Sequence, residues 1–359
     1  MRKKMQGRSA PPPSRVSSVN PPEGLVEALR RARRPLLLTH IYPDGDGYGC
    51  QLALHRAFRA AGVEAGILLT HPAPAKLHFL DGDGVVEVLD GEPNAGQLRT
   101  IEEADLMVIL DTSDPERIGR LHKPVFSLST PRCVVDHHLC EDHSAFDHVW
   151  SVPGSPATGN LVLRLLEPLS AELTPEIAEP LLAAIATDTG WYRFANATPE
   201  AFRDSATLIA AGADAEKLHR CIHETSSPSR TRVLGEVLAR LDLDCDGRVV
   251  YSVLEHKSLD RHGVGREEID GFIDALEEVG GSEILILVVE LSPGRYKVSL
   301  RSKGDVDIHE IAVRFGGGGH AKASGCNLEG TEEEVTGWLL EAARELLGRQ
   351  GEKLVPPAP

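Results

Sequence analysis

The sequence predicts an α/β protein of two domains, in which a mostly parallel sheet covered by helices is followed by a smaller α/β domain. Runs that are apolar throughout alternate with helical patterns in the first half, which is typical of a parallel sheet buried on both faces. A mostly helical stretch follows, and then a second alternation begins. The 359 residues are enough for two cores. We expect a disordered basic tail at 1–22, a first domain at 23–198, a helical linker at 199–240, a second domain at 241–348 and a disordered tail at 349–359.

The elements of the first domain follow from apolar spacing. Leu25, Val26 and Leu29 recur at helical spacing and predict a helix at about 22–33. The apolar run at 36–39 predicts a buried strand, and a Gly- and Asp-rich turn separates it from a helix at 51–61. Further strands are expected where apolar residues dominate, at 63–70, 106–110 and 133–135. Helices are expected around Leu161 and Leu181.

The second domain is expected to contain strands at 249–254, 284–291 and 296–300 and helices at 267–278 and 332–347. The turn Ser292-Pro293-Gly294 separates two of these strands, and a Pro-Gly turn between short strands predicts an antiparallel hairpin.

Composition excludes some classes of function. The chain carries 38 Lys and Arg against 54 Asp and Glu, a formal net charge of −16, which argues against binding long duplex DNA by counterion release. With only 8 Phe, 5 Tyr and 3 Trp, a stacking surface for long single strands is not expected. The 6 cysteines form no C-x-x-C pair, which indicates reduced thiols in a cytoplasmic protein. The longest strongly apolar run, at 284–289, is too short to span a bilayer, so no membrane association is expected.

Carboxylates and histidines follow the ends of three predicted strands and of one predicted helix. They are His40, Asp44, Asp46, Asp111, Asp136, His137, His138 and Asp188. Ligands of parallel sheets bind beyond the carboxyl ends of the strands. An alternative interpretation is that an Asp in such a turn caps the next helix. Asp188 is harder to explain in that way, because a carboxylate at a helix C-terminus opposes the helix dipole and needs a compensating cation.

Six of these side chains are candidate metal ligands: His40, Asp44, Asp46, Asp111, His137 and Asp188. Carboxylate and imidazole ligands without a thiolate favour Mn²⁺, Mg²⁺ or Fe²⁺ over a structural Zn²⁺. Six protein ligands are too many for one catalytic metal that keeps open positions. They indicate a two-metal site, which clamps the attacking and leaving oxygens in phosphoryl transfer.

The order of these motifs resembles that of the DHH phosphoesterase superfamily. The segment FGGGGHAKASG at 315–325 is similar to the signature of its DHHA1 domain. The resemblance covers about 23–348, and it is greatest to the branch that contains nanoRNases and pAp phosphatases. It implies an active-site cleft between the two domains and two divalent metal ions, with Mn²⁺ expected first and Mg²⁺, Co²⁺ or Fe²⁺ as alternatives.

The resemblance also implies how the metals are held. His40 and Asp44 would bind one metal, and Asp111 would bridge it to the other. The second metal would be bound by Asp46, His137 and Asp188. A water or hydroxide between the two metals would be the nucleophile.

The rest of the Asp-His-His motif is implied to be catalytic. His138 would face the substrate phosphate or steady the leaving group, and Asp136 would orient its neighbouring histidine, which binds a metal. The chain departs from the family pattern at Gly47, Tyr48 and Cys50, none of which is an implied ligand.

A glycine run and a basic strand end are the candidate substrate site of the second domain. The residues are Arg301, Ser302, Gly317, Gly318, Gly319 and His320. The backbone N–H groups of a glycine run can approach an anion closely, and an arginine can bind a phosphate through two N–H groups. The cations of 294–325 exceed its acids by three. The alternatives are a flexible loop and a solvated hairpin end.

The expected activity is Mn²⁺-dependent hydrolysis of very short RNA, of two to five nucleotides, together with removal of the 3′-phosphate of pAp-type nucleotides. Hydrolysis of cyclic or linear dinucleotides is an alternative, and a RecJ-like exonuclease or an inorganic pyrophosphatase is less favoured. A nucleotide-binding regulator without catalysis is the non-enzymatic alternative. The resemblance also suggests a homodimer.

Overall fold

The computed structural model describes residues 20–353. Most of the tail predicted at 1–22 and the end of the tail predicted at 349–359 lie outside these residues. The chain divides into two compact units, one ending at Thr225 and the other beginning at Ser226. The segment 199–240 is largely helical and contains this division. Within residues 20–353, no helix is both long and apolar enough to cross a membrane.

The first unit is built on a six-stranded sheet in the order β3-β2-β1-β4-β5-β6, in which every neighbouring pair is parallel. Its strands are β1 Pro35–Leu38, β2 Gly66–Leu69, β3 Val86–Val88, β4 Leu106–Leu110, β5 Arg132–Asp136 and β6 His148–Ser151. Its helices are α1 Glu23–Arg31, α2 Gly45–Ala60, α3 Ala95–Glu103, α4 His122–Phe126, α5 Thr158–Leu166, α6 Pro175–Asp188, α7 Pro199–Ala210 and α8 Ala215–His223, with 3₁₀ helices at Ala75–Leu80 and Pro115–Leu121.

Both faces of this sheet are covered, as the continuously apolar strands predict. Alternate residues of β4 point to opposite sides, so that Val108 and Leu110 join the core that contains α2, α5 and α6. Met107 and Ile109 join a second core, which contains Ile118 of the 3₁₀ helix at Pro115–Leu121. The predicted α/β class with a parallel sheet between helical layers is confirmed.

Helix α2 begins six residues earlier than predicted and includes most of the expected Gly- and Asp-rich turn. Asp44 is its N-cap, because Oδ1 accepts hydrogen bonds from the N–H groups of Asp46 and Gly47. Glycines are tolerated in this helix since α6 lies against it: a Cβ on Gly49 would lie 2.3 Å from the carbonyl oxygen of Pro180. The close approach brings the ligand motif of α2 next to the end of α6.

The second unit contains a six-stranded sheet in the order β11-β12-β10-β9-β8-β7. Its strands are β7 Asp242–Asp244, β8 Val249–Leu254, β9 Ile284–Ser292, β10 Arg295–Ser302, β11 Gly318–His320 and β12 Ala323–Glu329. Its helices are α9 Pro228–Ala239, α10 His256–His262, α11 His309–Arg314 and α12 Glu332–Lys353, with 3₁₀ helices at Cys245–Gly247, Arg266–Ile269 and Phe272–Glu278. Strands β8 and β9 are parallel, and β9 and β10 form the predicted antiparallel hairpin.

Two segments of this unit differ from the prediction, and a third excludes an alternative interpretation. The helix expected at 267–278 is two 3₁₀ helices, separated where Gly271 takes a φ of +83° that a helix does not allow. Helix α12 continues to Lys353, past the limit of 347 that the sequence predicts, and residues 349–353 of the predicted tail are helical. The glycine run is not a free loop, because Gly318–His320 forms β11 and pairs with Ala323–Gly325.

Candidate metal centre

The candidate ligands gather at the carboxyl edge of the first sheet, where the chain turns away from the two central strands. Strands β1 and β4 are neighbours in the sheet, and the strand order proceeds outward from this pair in both directions. Ligands of open α/β sheets bind at such a point. His40 follows β1, and Asp111 follows β4 directly. Nε2 of His40 lies 3.5 Å from Oδ2 of Asp111.

His40, Asp44 and Asp111 form a first group of possible metal ligands. Nδ1–H of His40 donates to the carbonyl oxygen of Ile41 at 2.8 Å, which leaves Nε2 as the free ring nitrogen. This Nε2 lies 3.8 Å from Oδ1 of Asp44. Asp44 therefore caps α2, as the alternative interpretation held, and also faces the histidine.

Asp46, His137 and Asp188 form a second group. Nδ1–H of His137 donates to the carbonyl oxygen of Ser155 at 3.1 Å. Nε2 of His137 lies 3.8 Å from Asp46 Oδ2 and 3.7 Å from Asp188 Oδ2, and this buried atom has no hydrogen-bond partner. A nitrogen lone pair that faces carboxylates without a bond is satisfied when a cation lies between them.

Asp111 joins the two groups. Its Oδ2 faces Nε2 of His40, whereas its Oδ1 lies 3.6 Å from Nε2 of His137. Oδ1 also accepts a hydrogen bond of 2.9 Å from Oγ1 of Thr158, which fixes the carboxylate plane. The backbone of Asp111 takes a φ of +64°, which is uncommon outside glycine and is often retained at functional sites. Each oxygen of one carboxylate is thus directed at a different ligand group.

The electrostatics of the centre favour bound cations. Burial and the charges of Asp111 and Asp188 raise the pKa of Asp46 well above its usual range. Burial, together with the charge of Asp111, raises the pKa of Asp188 to about 6 although His137 opposes it. For His40, burial alone would lower the pKa, but the carboxylates of Asp111 and Asp44 raise it to about 10. Buried carboxylates that repel one another are stabilised by divalent ions.

The donor set suits hard or borderline cations. Each of the six candidate ligand residues offers a carboxylate oxygen or an imidazole nitrogen, the donors preferred by Mn²⁺, Mg²⁺ and Fe²⁺. The nearby thiol of Cys50 does not add a thiolate, because burial raises its pKa well above the usual value. Instead, Sγ–H lies 3.4 Å from Oδ1 of Asp46 and donates to it.

The candidate substrate residues of the second unit lie at the carboxyl end of β10, in β11 and, for Gly317, just before β11. Oγ–H of Ser302 donates to the carbonyl oxygen of Val306 at 2.7 Å, so its proton is used within the fold. The side chain of Arg301 is 33% exposed, and its Nε lies 3.7 Å from Oδ1 of Asp274. Gly318, together with its neighbours in β11, is exposed.

The basic excess of 294–325 is not an open basic surface. Lys297 lies 2.8 Å from Asp270, and Arg314 lies 2.7 Å from Glu345. The ammonium group of Lys303 donates to backbone carbonyl oxygens at the end of the 3₁₀ helix Phe272–Glu278. Carboxylates outside residues 294–325 therefore neutralise some of the cations that give this segment its net positive charge.

Comparisons with known proteins agree with this geometry. The N-terminal domain model of the DHH family matches residues 36–185, and the DHHA1 domain model matches residues 246–349. The chain is 33% identical to the bifunctional oligoribonuclease and PAP phosphatase NrnA of Thermus thermophilus over 329 residues, 91% of this chain and 94% of that protein. It belongs to the DHH phosphoesterase family.

A second curated relative and a solved structure extend the comparison. The bifunctional oligoribonuclease and PAP phosphatase NrnA of Bacillus subtilis is 25% identical over 301 residues, 83% of this chain and 90% of that protein. The crystal structure of an exopolyphosphatase-related protein from Bacteroides fragilis matches with a TM-score of 0.80 and 25% identity, covering 91% of this chain and 97% of that one.

One expected contact within the Asp-His-His motif of this DHH protein is wrong. Asp136 does not orient the candidate ligand His137, whose Nδ1–H is bonded to Ser155. Oδ1 of Asp136 instead accepts a hydrogen bond of 2.8 Å from Nδ1–H of His138. Successive residues after a strand point in different directions, so the residue two positions on, rather than the adjacent one, reaches back to the carboxylate.

Sequence reasoning missed the residues that hold the ligands in place. The N–H groups of Thr158 and Gly159, at the start of α5, donate to the two oxygens of Asp46 at 2.7 and 2.8 Å. Nδ2 of Asn196 donates to Oδ2 of Asp188 at 3.0 Å. The available signal for Thr158 was its place at the start of a helix, where N–H groups bind anions.

Proposed function

We propose that the chain is a two-metal phosphohydrolase that degrades very short oligoribonucleotides and removes the 3′-phosphate of pAp-type nucleotides. The observation that carries this proposal is the placement of Asp111, whose two oxygens face His40 and His137 separately. This placement supports two ions, one in each group of possible ligands, with Asp111 between them. The printed activities of the two NrnA relatives supply the substrate class.

The proposed chemistry is phosphate ester hydrolysis. Two bound divalent cations, with Mn²⁺ as our first choice, would stabilise the negative charge on the attacking and leaving oxygens. His40 and Asp44 would hold the first ion. The second would be held by Asp46, His137 and Asp188. Asp111 would bridge the two ions.

His138 is our candidate for the group that acts on the substrate. Its Nδ1–H is bonded to Asp136, so Nε2 is the nitrogen that can bind a phosphate oxygen or deliver a proton to a leaving oxygen. The side chain is 46% exposed, which leaves it accessible to a substrate. The hydrogen bond that His138 donates to Asp136 raises the pKa of His138, and this favours the protonated, phosphate-binding form.

The second domain would bind the part of the substrate that is not cleaved. We assign catalysis to residues 23–198, linkage to 199–240 and substrate binding to 241–348. The exposed residues Gly318 and Gly319 and the side chains of His320 and Arg301 are its candidate contacts. Gly317 would lie beside them, with its N–H already bonded to the carbonyl oxygen of Ala312. Ser302 would contribute only as an acceptor. We also propose a cytoplasmic location, in keeping with six free thiols, and a homodimer.

A substrate panel tests the proposal. The protein is incubated with Mn²⁺ and, separately, with pAp, a diribonucleotide, a cyclic dinucleotide, a long single strand and pyrophosphate. We expect turnover of pAp and the diribonucleotide and little of the long strand. Absence of turnover on both would reject the proposal, and preference for the cyclic dinucleotide would favour the phosphodiesterase alternative. His137→Ala, which removes a ligand of one metal, is the inactive control.

A further inference from the structure

Tyr42 is held in an unfavourable backbone conformation without being buried. It lies in the loop between β1 and α2, two residues from His40 and two from Asp44, and takes a φ of +53°. A bulky side chain rarely adopts this left-handed region, which asparagine and glycine enter far more readily. The side chain of Tyr42 is 70% exposed, so core packing does not compensate for the conformation. Such an outlier next to candidate metal ligands suggests a role outside the fold itself.

The Tyr42 ring lies in tilted contact with a second aromatic ring. The centroids of Tyr42 and His71 are 4.2 Å apart, and the ring planes are inclined by 30°. His71 comes just after β2, and β1 and β2 are paired in parallel. The two rings therefore project from the same carboxyl edge of the sheet as the candidate metal ligands.

The loop that carries Tyr42 is fixed by its neighbours. The N–H of Ile41 donates to the carbonyl oxygen of Arg117 at 2.6 Å. A Cβ on Gly119 would lie 2.5 Å from Cγ2 of Ile41, so the glycine makes room for this residue. Because the loop is held on both sides of Ile41, the exposed ring of Tyr42 is presented in a defined orientation before any ligand arrives, which lowers the entropy cost of binding.

We propose that Tyr42, supported by His71, is a stacking platform for a nucleobase of the substrate. The inference rests on the proposed function, since it assumes that a nucleotide phosphate lies at the metal centre. Exposed aromatic rings bind nucleobases through their π-faces with little sequence preference, which suits a nuclease of very short RNA. Tyr42 adjoins two candidate ligands in sequence, so a nucleotide whose phosphate is held there has its base within reach of the ring.

Thermal stability distinguishes a ligand-binding role of Tyr42 and His71 from a purely structural role. If the fold needed Tyr42, replacing it by asparagine would lower the thermal midpoint. If Tyr42 serves a ligand, Tyr42→Asn relieves the positive φ, and the thermal midpoint stays equal or rises. Tyr42→Phe retains the stacking face and the strain, and it separates the ring from the hydroxyl group.

The test compares ligands with and without a base. The dissociation constants of AMP and ribose 5-phosphate are measured by calorimetry with Mn²⁺ for the wild type, Tyr42→Asn and Tyr42→Phe. We expect Tyr42→Asn to raise the dissociation constant of AMP about tenfold, which corresponds to about 1.4 kcal/mol. The dissociation constant of ribose 5-phosphate should not change. Tyr42→Phe should stay within about twofold of the wild type. Leu139→Asn is the matched control, because Leu139 is another apolar side chain, 90% exposed, beside a ligand motif.

The possible results are distinct. The platform is rejected if Tyr42→Asn binds AMP as tightly as the wild type, if both ligands are weakened equally, or if the wild type does not prefer AMP. The same holds if the thermal midpoint falls while the affinity for AMP stays constant. Because AMP binding needs no turnover, these outcomes are read even if the wild type hydrolyses neither pAp nor the diribonucleotide, a failure that would concern the proposed function alone.

Discussion

Nδ1–H of His138 donates a hydrogen bond of 2.8 Å to Oδ1 of Asp136, a carboxylate with no exposed surface. Burial is the largest single effect and would raise the pKa of Asp136, but the bonds from the ring and the backbone N–H of His138 are among the effects that together lower it to about 2. Asp136 is therefore ionised at neutral pH, and it holds the imidazole of His138 in one orientation. The first of the three motif residues acts on the third, and the second is a candidate metal ligand.

Asp136→Ala should lower kcat by about 10- to 100-fold, the usual effect of losing a residue that orients an active-site histidine. The number of bound metal ions should stay the same, because the ring of His137 is held by Ser155. Kinetics and metal analysis of the same preparation give both quantities. Loss of a metal ion together with activity would mean that Asp136 supports the ligands after all. Asp142→Ala, in the exposed loop that follows, is the control.

Thr158→Val should slow hydrolysis without unfolding the protein. The substitution keeps the N–H bonded to Asp46 and removes only the hydroxyl that donates to Oδ1 of Asp111. We expect kcat to fall by about tenfold or more and the affinity for Mn²⁺ to weaken, because the bridging carboxylate is then free to rotate. Thr158→Ser restores the hydroxyl and should recover most of the rate. Equal rates for the valine and serine variants would show that the hydroxyl group of Thr158 does not contribute to hydrolysis.

Two adjacent glycines of β11 should respond differently to alanine. A Cβ on Gly319 would lie 2.5 Å from the carbonyl oxygen of Ala323, and its φ is +133°, so Gly319→Ala should cost roughly 1–3 kcal/mol of unfolding free energy. A Cβ on Gly318 meets nothing within 4 Å. Gly318→Ala should therefore keep its stability and raise KM, since the methyl group would keep a phosphate from the backbone. Denaturant unfolding and steady-state kinetics check both, and an unchanged KM for Gly318→Ala would show that β11 does not approach the substrate.

Arg301→Ala should raise KM more than it lowers kcat, by about tenfold if the guanidinium binds a phosphate. Its contact with Asp274 spans 3.7 Å, and its Nη1–H donates to the carbonyl oxygen of Leu300 at 3.1 Å, so a bound phosphate would have to compete with only one carboxylate and one carbonyl group. Arg295→Ala is the matched control on the same strand, where the charge is paired with Glu329 at 3.2 Å. A larger loss in kcat than in KM would mean that Arg301 acts in the transition state.

The sequence predicted the parts of the fold that local pattern controls. Strands β4 and β8 have the limits that the sequence predicts, because β4 is apolar throughout and β8 is apolar except at Ser252, as expected of strands buried on both faces of a sheet. The start of α2 was missed, since Gly45, Gly47 and Gly49 lower helix propensity locally. Gly45 and Gly49 are needed for the close approach of α6, and Gly47 makes room for Thr39. These are tertiary contacts and leave no local pattern.

The sequence predicts which residues are candidate ligands, but it does not predict the groups that hydrogen-bond to those ligands and orient them. The candidate ligands lie in or next to the segments that follow strands or that end a helix. Their positions along the chain are therefore enough to predict that they meet at the carboxyl edge of the first sheet. The partners of His137 and Asp188, which are the Ser155 carbonyl and the Asn196 amide, lie in loops with no motif of their own. Backbone carbonyl groups carry no sequence signal, so the orientation of each histidine required coordinates.

The number of divalent ions bound per chain tests the central claim most directly. Equilibrium dialysis with Mn²⁺ should give two ions for the wild type. His40→Ala and Asp188→Ala each remove a ligand from a different group, and each variant should retain one ion. A wild-type chain that binds a single ion, or a His40→Ala variant that still binds two, would contradict the arrangement in which Asp111 bridges two metal sites.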